Sequence, residues 1–435
     1  MVQCRGVRVV KHVLLIPMGS SGDVHPFLGM GIALRERGHR VTVVTGGYFA
    51  PLVHRIGLEY AALGTTEEYL EVCADPELWH ARRGLAVIAR MIKPYAERLY
   101  QVIEGYADDS SLIVVAPTLA FGARVAQEKL GVPTATVCLQ PFCFRSVYQS
   151  PAWPIFSIPD WWPAVGKRLL YRLGDFEVDR IFAPDINAFR VSMGLEPVHR
   201  VFHEWCFSTD RVIGLFPGWY AAPQPDWPSV TVVTGFPLYD EADQVPVSEA
   251  LNAFIADGEP PLVFTPGSAN QHARPFFTAA VEACDRLSRR GVLLTRFPDQ
   301  VPERLPDSIR HFVYAPLSRI LPRAAALIHH GGIGTIAQAL AAGVPQLLMP
   351  MAYDQPDNAV RLRCLGVGSS LKPRRFRGPQ VARELKELVE SREVLARCQA
   401  VARRLDRRRA MTQTCELIEQ LGGDGSESRV AGSVR

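Results

Sequence analysis

Residues 325–349 read AALIHHGGIGTIAQALAAGVPQLLM, and this stretch determines the fold class. A short apolar run, Ala325–His329, leads into a glycine-rich turn and then a segment long enough for a helix, after which a second apolar run begins at Gln346. Short apolar runs bounded by glycine or proline indicate buried strands. Two strands joined through a helix predict a right-handed crossover and a parallel sheet.

The same alternation occurs in both halves of the chain. Further buried strands are predicted at His12–Pro17, Arg40–Thr45, Leu112–Ala116, Pro133–Cys138, Pro261–Thr265 and Val292–Thr295. A proline- and tryptophan-rich stretch between the halves, Phe216–Val245, is predicted to be a loop or linker, because proline removes backbone donors.

The predicted architecture is therefore α/β, with two doubly wound Rossmann-like domains, residues 1–240 and 241–421, facing a cleft. Ligands of such sheets bind beyond the carboxyl ends of the strands. Residues 422–435 contain little to bury, so a disordered tail is predicted there.

Composition narrows the class of protein. The 435 residues are 48% hydrophobic and 21% charged, with a net charge of +4, which is typical of a soluble globular protein and gives no basic stripe for nucleic acid. The basic run Arg403–Arg409 is interpreted as a solvated helix face, with membrane contact as the lesser alternative. Nine scattered cysteines without a CxxC pair, no secretory start and no apolar stretch of about 18 residues predict a cytoplasmic protein with at most peripheral membrane contact.

The glycine-rich turn has the composition of an anion site. Gly331, Gly332 and Gly334 let backbone N–H groups approach an anion at a helix N-terminus, while Thr335 adds a hydroxyl and His330 a ring N–H. These groups suit a diphosphate without a metal. A tight turn that needs glycine only for its backbone angles is the equal alternative for this segment alone.

Asp354 and Gln355 follow the next predicted strand, so they lie at the neighbouring strand end. A carboxylate beside an amide can accept from and donate to vicinal hydroxyls. For this pair alone, the interpretation that Asp354 only caps the following helix is favoured. A phosphate loop and a hydroxyl-binding pair at adjacent strand ends together indicate a pocket for a nucleotide sugar.

The span Tyr314–Ala359 resembles the donor signature of inverting nucleotide-sugar glycosyltransferases with two Rossmann-like domains, the GT-B fold of the UDP/dTDP-glycosyltransferase superfamily. Over residues 12–375 the chain looks most like bacterial rhamnosyltransferases of glycolipid assembly. The resemblance implies a nucleotide-sugar co-substrate, no other cofactor and no metal. It also implies a donor-binding set in which Tyr314 stacks on the base, Ala315 reads the base edge, Ser268, His330, Gly332, Gly334 and Thr335 lie near the diphosphate, and Asp354 and Gln355 hold the sugar.

Two positions depart from the plant form of this signature. Leu317 replaces a glutamine near the base, and Gln338 replaces a glutamate that binds the ribose hydroxyls. A neutral amide at position 338 favours a 2′-deoxyribose donor such as a dTDP-sugar.

A second glycine-rich turn, PMGSSGDVHPF at residues 17–27, carries an acid where a phosphate would need bare amides. An inverting transfer needs a general base facing the donor, and family members with this turn have aspartate in that role, which assigns it to Asp23. The alternatives are that Asp23 only caps the following helix, or that His25 is the base and lies against the acceptor.

The acceptor side is predicted from one aromatic, proline-rich stretch, Gln140–Pro163. Its rings lack helical or strand spacing, which fits either the wall of an apolar pocket or a satellite core under a long loop. The residues predicted to contact the acceptor are Phe142, Phe144, Tyr148 and Trp153.

The function predicted is a metal-independent inverting hexosyltransferase that moves a sugar such as rhamnose or glucose from a dTDP- or UDP-sugar to a hydroxyl of a hydrophobic small-molecule or lipid-like acceptor. The main alternative is a glucosyltransferase of an aromatic or sterol-like natural product. A nucleotide-sugar epimerase is less favoured, because it would need acids on the donor domain poised to deprotonate or eliminate and no hydrophobic acceptor loop. A catalytically silent binding subunit is less favoured, because Asp23 and the His330 loop are both present.

Overall fold

The protein is described by a computed structural model over residues 9–154, 156–159 and 161–422. Apart from Gly422, the predicted tail lies outside these residues. Within the described chain, a seven-stranded parallel sheet has the order β3-β2-β1-β4-β5-β6-β7 and a six-stranded parallel sheet the order β10-β9-β8-β11-β12-β13. The strands are β1 His12–Leu15, β2 Arg40–Thr45, β3 Glu59–Ala62, β4 Leu112–Pro117, β5 Thr134–Cys138, β6 Arg211–Gly214, β7 Thr231–Val233, β8 Leu262–Thr265, β9 Gly291–Leu294, β10 Ile309–Phe312, β11 Ala326–His329, β12 Gln346–Leu348 and β13 Gly368–Ser370.

Helices cover the sheets. They are α1 Ser21–Glu36, α2 Ala50–Arg55, α3 Thr66–Ala74, α4 Gly84–Glu104, α5 Phe121–Leu130, α6 Ala164–Ser192, α7 Glu249–Ala256, α8 Arg274–Leu287, α9 Leu317–Ile320, α10 Ile333–Ala342, α11 Gln355–Leu365, α12 Gly378–Glu390, α13 Arg392–Ala402 and α14 Arg407–Glu419. In the part of the chain that is described, none of them combines the length and the apolar character needed to cross a bilayer.

The predicted fold class is confirmed, because central strands such as β1 and β11 are buried along their whole length and pair in parallel on both sides. Strands were missed mainly at sheet edges, where β3, β7 and β13 are only partly buried and lack a continuous apolar run. One of them, β7, lies in the stretch predicted to be entirely loop, which corrects that prediction.

The predicted boundary near residue 240 falls between the last strand of the first sheet and α7. The end of the second domain differs from the prediction, because α14 returns to the first domain. Glu419 on α14 accepts hydrogen bonds from Arg37 at 2.6 and 2.8 Å and pairs with His39 at 2.7 Å. The buried face of α14, with Cys415 and Ile418, joins the core of the first sheet. A C-terminal helix that buries its apolar face on the other sheet cannot be assigned from sequence order alone.

The helices that follow the two glycine-rich turns, α1 and α10, meet across the cleft. Helix α1 contacts α10, and Ile333 and Ile336 of α10 belong to the same core cluster as the first sheet. The segments that follow β1 and β11 therefore face each other at the domain interface.

Candidate active site

A buried histidine at the end of β11 holds the following glycine turn in place. His329 is fully buried, its Nδ1 accepts a hydrogen bond from the Gly331 N–H at 3.1 Å, and its Nε2 lies 3.0 Å from Oε1 of Gln346. Burial lowers the pKa of His329 to about 3, so the ring is neutral. Gly331 has φ 102°, which only glycine adopts readily. The turn thus presents the N-terminus of α10 to the cleft, where free N–H groups can bind an anion.

His330 lies on the cleft side of the same turn. Its ring packs so closely over the backbone that a β-carbon at Gly267 would come within 2.9 Å and one at Gly332 within 2.5 Å. Burial lowers the pKa of His330 to about 4, and its Nδ1 is buried without a hydrogen-bond partner among the described residues. Both glycines are therefore needed to seat the ring, and its Nδ1 has a hydrogen bond left to make. Ser268, next to Gly267, is exposed, and Thr335 is half-buried in the first turn of α10.

A tryptophan from the first domain covers His330. Trp79, in the loop between α3 and α4, lies edge-on to His330 with ring centroids 6.3 Å apart, and 5.8 Å from the ring of Tyr353. The Tyr353 hydroxyl donates to the Leu78 carbonyl, which ties this loop to the donor side. The Trp79 Nε1 is also buried without a partner in the described chain. Two rings, each with a buried nitrogen that lacks a hydrogen-bond partner in the described chain, thus lie beside the N-terminus of α10.

Asp354 and Gln355 begin the next helix, α11. Asn358 Nδ2 donates both to Asp354 Oδ2 at 2.7 Å and to the Gly331 carbonyl at 3.0 Å, which joins the carboxylate to the glycine turn. Gln355 Oε1 accepts from the Met351 N–H at 2.8 Å, and its amide nitrogen makes no hydrogen bond with a described residue. Asp354 occupies the N-cap position of α11 but its side chain makes no capping hydrogen bond. The capping interpretation therefore does not account for this carboxylate.

The predicted base pocket lies beside α9. Tyr314 follows β10, its hydroxyl donates to the Asp240 carbonyl at 2.8 Å, and the Arg296 guanidinium lies 5.6 Å from its ring centroid. Ala315 is buried directly after it. Gln338 is 6% exposed on α10, and no described residue hydrogen-bonds to its amide. Arg296 thus already covers one face of Tyr314.

Asp23 faces this donor side from α1. It is the third residue of the helix and the N-cap is Ser20, so the alternative that Asp23 is itself the N-cap is wrong, but its side chain completes a capping box with Ser20. The Ser20 N–H and hydroxyl both donate to Asp23 Oδ2, at 2.8 and 3.1 Å, and Oδ1 accepts no hydrogen bond from the described residues. Burial raises the pKa of Asp23. Burial and the charge of Asp23 together raise the pKa of Asp354 to about 7.

The start of α1 also meets the start of α10 directly. The Gly22 carbonyl lies 3.5 Å from the position that a β-carbon on Gly334 would take. A carboxylate with one free oxygen is thus held across the interface from the glycine turn and from Asp354.

Comparison with known proteins identifies the family. Residues 13–149 match the Glycosyltransferase family 28 N-terminal domain, and residues 295–421 match the Erythromycin biosynthesis protein CIII-like, C-terminal domain. O-mycaminosyltylonolide 6-deoxyallosyltransferase of Streptomyces fradiae is 30% identical to this chain, over 94% of this chain and 97% of its own. The chain belongs to the GT-B glycosyltransferases. The finer resemblance to rhamnosyltransferases of glycolipid assembly stays a prediction.

Solved structures share the fold of this glycosyltransferase. The kitacinnamycin glycotransferase superposes with a TM-score of 0.71 at 22% identity, over 95% of this chain and 99% of that chain. VinC, solved in complex with dTDP, superposes with a TM-score of 0.65 at 16% identity, over 94% and 99%.

The aromatic loop of the glycosyltransferase, between β5 and α6, divides into a core part and a surface part. Phe144 is 3% exposed and stacks on Trp227 and Phe207, with centroids 4.3 and 5.6 Å away. This corrects the prediction that Phe144 contacts the acceptor, because its ring is enclosed by the first domain. Tyr148 is 56% exposed. Phe142 and Trp153 are half-buried and pack edge-on, 5.1 Å apart.

His25 is also placed differently from the prediction. Its Nε2 lies 2.9 Å from Glu241 Oε1, and its ring packs against Tyr239 of the interdomain linker. Two residues along a helix rotate a side chain by about 200°, so His25 points away from the face that carries Asp23. This pairing with the linker removes His25 from the acceptor side.

Sequence reasoning missed several residues that assemble the site. Asp357 accepts the Ala152 N–H at 2.9 Å, which fastens the aromatic loop to the donor domain, and Tyr220 donates to Asn358 Oδ1 at 3.1 Å. Asp357 and Asn358 lie inside the DQPDN motif, so their place directly after Asp354 and Gln355 was the available signal. Trp79 stands in a segment without a motif, and nothing in the sequence marks it.

Proposed function

We propose that this glycosyltransferase transfers a sugar, with inversion and without a metal ion, from a dTDP-sugar to a hydroxyl of a hydrophobic natural product, with Asp23 as the general base. The observation that carries the proposal is the placement of Asp23 and Asp354. They belong to opposite domains, and Asp23 stands in the first turn of α1, where the Gly22 carbonyl meets the start of α10 at Gly334. Asn358 joins Asp354 to the same glycine turn, so a sugar held by Asp354 would lie on the side of the cleft that Asp23 faces.

Each group has a defined part in the single displacement. Asp23 Oδ1 takes the proton from the acceptor hydroxyl while that oxygen forms a bond to the anomeric carbon. The bond from the anomeric carbon to the diphosphate breaks on the opposite face. The N–H groups at the start of α10 and the His330 ring stabilise the negative charge that develops on the leaving group. The positive end of the helix dipole supplies the electrostatic role that a metal has in other transferases.

The assignment of Asp23 rests on how its two oxygens differ. Ser20 holds Oδ2 through two hydrogen bonds, which fixes the orientation of the carboxylate. The other oxygen is left to accept a proton. Because burial raises the pKa of Asp23, its carboxylate is a stronger base than an exposed aspartate.

The donor class rests on Gln338. A buried carboxylate facing a deoxyribose would remain unpaired, whereas a buried amide needs fewer partners. The dTDP bound to VinC, which shares the fold, agrees with this choice. The natural-product acceptor is inferred from the Streptomyces relative, whose name specifies O-mycaminosyltylonolide, and from the exposed and half-buried rings of Tyr148, Phe142 and Trp153.

The test is an assay with dTDP-α-glucose and dTDP-rhamnose against macrolide and polyphenol acceptors, in buffer with excess EDTA, with the product anomer determined by NMR. We expect product with the anomeric configuration opposite to that of the donor, at the same rate with and without EDTA. A product that retains the donor configuration would overturn the single displacement. Activity that is lost in EDTA and restored by Mg²⁺ would overturn the metal-free step.

A further inference from the structure

The first half of helix α6 exposes large apolar side chains to solvent and buries polar side chains against the protein. Val165, Leu169, Leu173 and Phe176 are 75, 61, 59 and 62% exposed. The buried face carries Lys167, Tyr171 and Asp175 instead. The polar side chains have partners inside: Lys167 Nζ donates to the Val147 carbonyl at 3.0 Å, and Asp175 pairs with Arg145 at 2.6 Å. The exposed apolar face is therefore not a by-product of a poorly packed helix.

These four side chains form one continuous surface. Spacings of four, four and three residues place them along one face of a helix. Trp161 and Trp162, which precede the helix, are 79 and 41% exposed and extend the row at its N-terminal end. We call these six residues the α6 stripe. A contiguous exposed apolar patch of this kind normally marks an interaction surface.

The exposed charge beside the N-terminal part of the stripe is positive. Residues 161–174 contain no aspartate or glutamate and two exposed arginines, Arg168 and Arg172, whereas the exposed Glu177 beside Phe176 pairs with Arg180. Arg168 and Arg172 are exposed and make no ion pair or hydrogen bond with any described residue. Both also line a surface cavity of about 620 Å³, whose lining includes the ion-paired Arg145 and Arg200 as well as Glu204 and Asp226. The unpaired positive charge of Arg168 and Arg172 thus flanks the apolar row.

We propose that the α6 stripe binds the surface of an anionic phospholipid bilayer. An interfacial helix buries an apolar face at the boundary of the acyl chains while basic side chains contact lipid phosphates. Arginine can extend its head to the phosphates along the edge of such a face, and tryptophan favours the headgroup level. A second copy of the chain would bring the same unpaired arginines, so the charge favours an anionic membrane over self-association.

This binding orients the molecule. The aromatic loop runs directly into α6, and Phe156, in the same loop, is 43% exposed and stacks on Trp153. A protein resting on its α6 stripe holds this loop close to the lipid surface, from which apolar molecules can partition.

The experiment is co-sedimentation of the full chain with vesicles of phosphatidylcholine alone or with 30% phosphatidylglycerol. We expect binding to the anionic vesicles only. The triple variant Leu169→Ser, Leu173→Ser, Phe176→Ser should lose at least tenfold in affinity, and Arg168→Gln and Arg172→Gln about fivefold each. Val191→Ser is the matched control, because Val191 is a 57% exposed apolar residue of the same helix outside the stripe. All variants should keep the wild-type melting temperature.

Two results would overturn the proposal. One is a wild-type protein that does not sediment with anionic vesicles. The other is a triple variant that changes from dimer to monomer in light scattering while vesicle binding is absent, which would assign the stripe to a second copy. If the triple variant does not fold, quenching of wild-type tryptophan fluorescence by brominated anionic lipid tests the same contact. We expect quenching that is lost on Trp161→Phe and Trp162→Phe. Unquenched wild-type fluorescence would contradict lipid contact.

Discussion

The glycine turn and the aromatic loop both follow the carboxyl end of a parallel strand, but they are built differently. The turn connects β11 to α10 within a few residues, and two buried hydrogen bonds fix it: the Gly331 N–H donates to His329, and Asn358 donates to the Gly331 carbonyl. The aromatic loop runs from β5 to α6 over residues 139–163, with one end packed in the core and other rings at the surface. A short hydrogen-bonded turn suits a ligand part that never changes, such as a diphosphate. A long loop of partly exposed rings suits an acceptor that differs among relatives.

The two regions are nevertheless coupled. Asp357 lies in the helix that carries Asp354 and accepts a hydrogen bond from Ala152 of the aromatic loop. The same carboxylate pairs with Arg361 at 2.7 Å. A change in the loop can therefore reach the residues that we expect to hold the sugar.

The largest effect is expected within the aromatic loop, between a core ring and a surface ring. Phe144→Ala should lower the free energy of unfolding by about 3–5 kcal/mol, because it removes a buried aromatic side chain. Tyr148→Ala should change it by less than about 0.5 kcal/mol, since Tyr148 is largely exposed. Denaturant unfolding of both variants, together with the acceptor KM of Tyr148→Ala, tests whether Phe144 belongs to the core and Tyr148 to the surface. Equal stability of the two variants would mean that the loop is not divided in this way.

The next effect concerns the unused nitrogens at the glycine turn. His330→Ala should weaken dTDP binding by about 10- to 100-fold, the range for losing a hydrogen bond to a charged group. Trp79→Phe keeps the ring but removes its N–H, and should cost about tenfold or less. Calorimetric titration with dTDP measures both. Unchanged affinity in His330→Ala would show that the ring serves only the turn.

The features that could be predicted are those whose signal is local in the sequence. The strand, the glycine turn and Asp354 could be placed because short apolar runs, glycines and a local polar pair lie close together in the chain. Phe144 and Tyr148 could not be separated, since burial of a ring in a loop depends on partners such as Phe207 and Trp227 that are distant in sequence. The position of Trp79 and the packing of α14 on the first domain were not predicted for the same reason. His25 was misplaced because its partner, Glu241, is on the linker.

A smaller effect should distinguish donor bases. Gln338→Glu should shift the ratio of kcat/KM for dTDP-glucose over UDP-glucose toward UDP by about tenfold, because a carboxylate gains from the 2′-hydroxyl and is left unpaired without it. Competition between the two donors measures the ratio directly. A wild-type protein that strongly prefers UDP-glucose would contradict the role given to Gln338.

A further effect is on the pH dependence of stability. The pKa of Asp354 is raised to about 7 in the folded protein, above its ordinary value near 3.8, so folding takes up a proton between these values. Stability should therefore fall as pH rises from about 4 to about 7 and then level off. Asp354→Asn should flatten this part of the curve, as measured by melting temperature without donor. A wild-type stability that rises over the same range would contradict the raised pKa.

The central claim, that Asp23 is the general base, is tested most directly by kcat of Asp23→Asn. Asparagine can still accept the hydrogen bonds from Ser20, so the helix start and dTDP affinity should be unchanged while kcat falls by about 10²- to 10⁴-fold. Ser20→Ala is the control, since it weakens the helix start but leaves the carboxylate, and it should keep most of the turnover. Near wild-type kcat in Asp23→Asn, or an equal loss in Ser20→Ala, would contradict the account and leave Asp23 as a residue of the helix start alone.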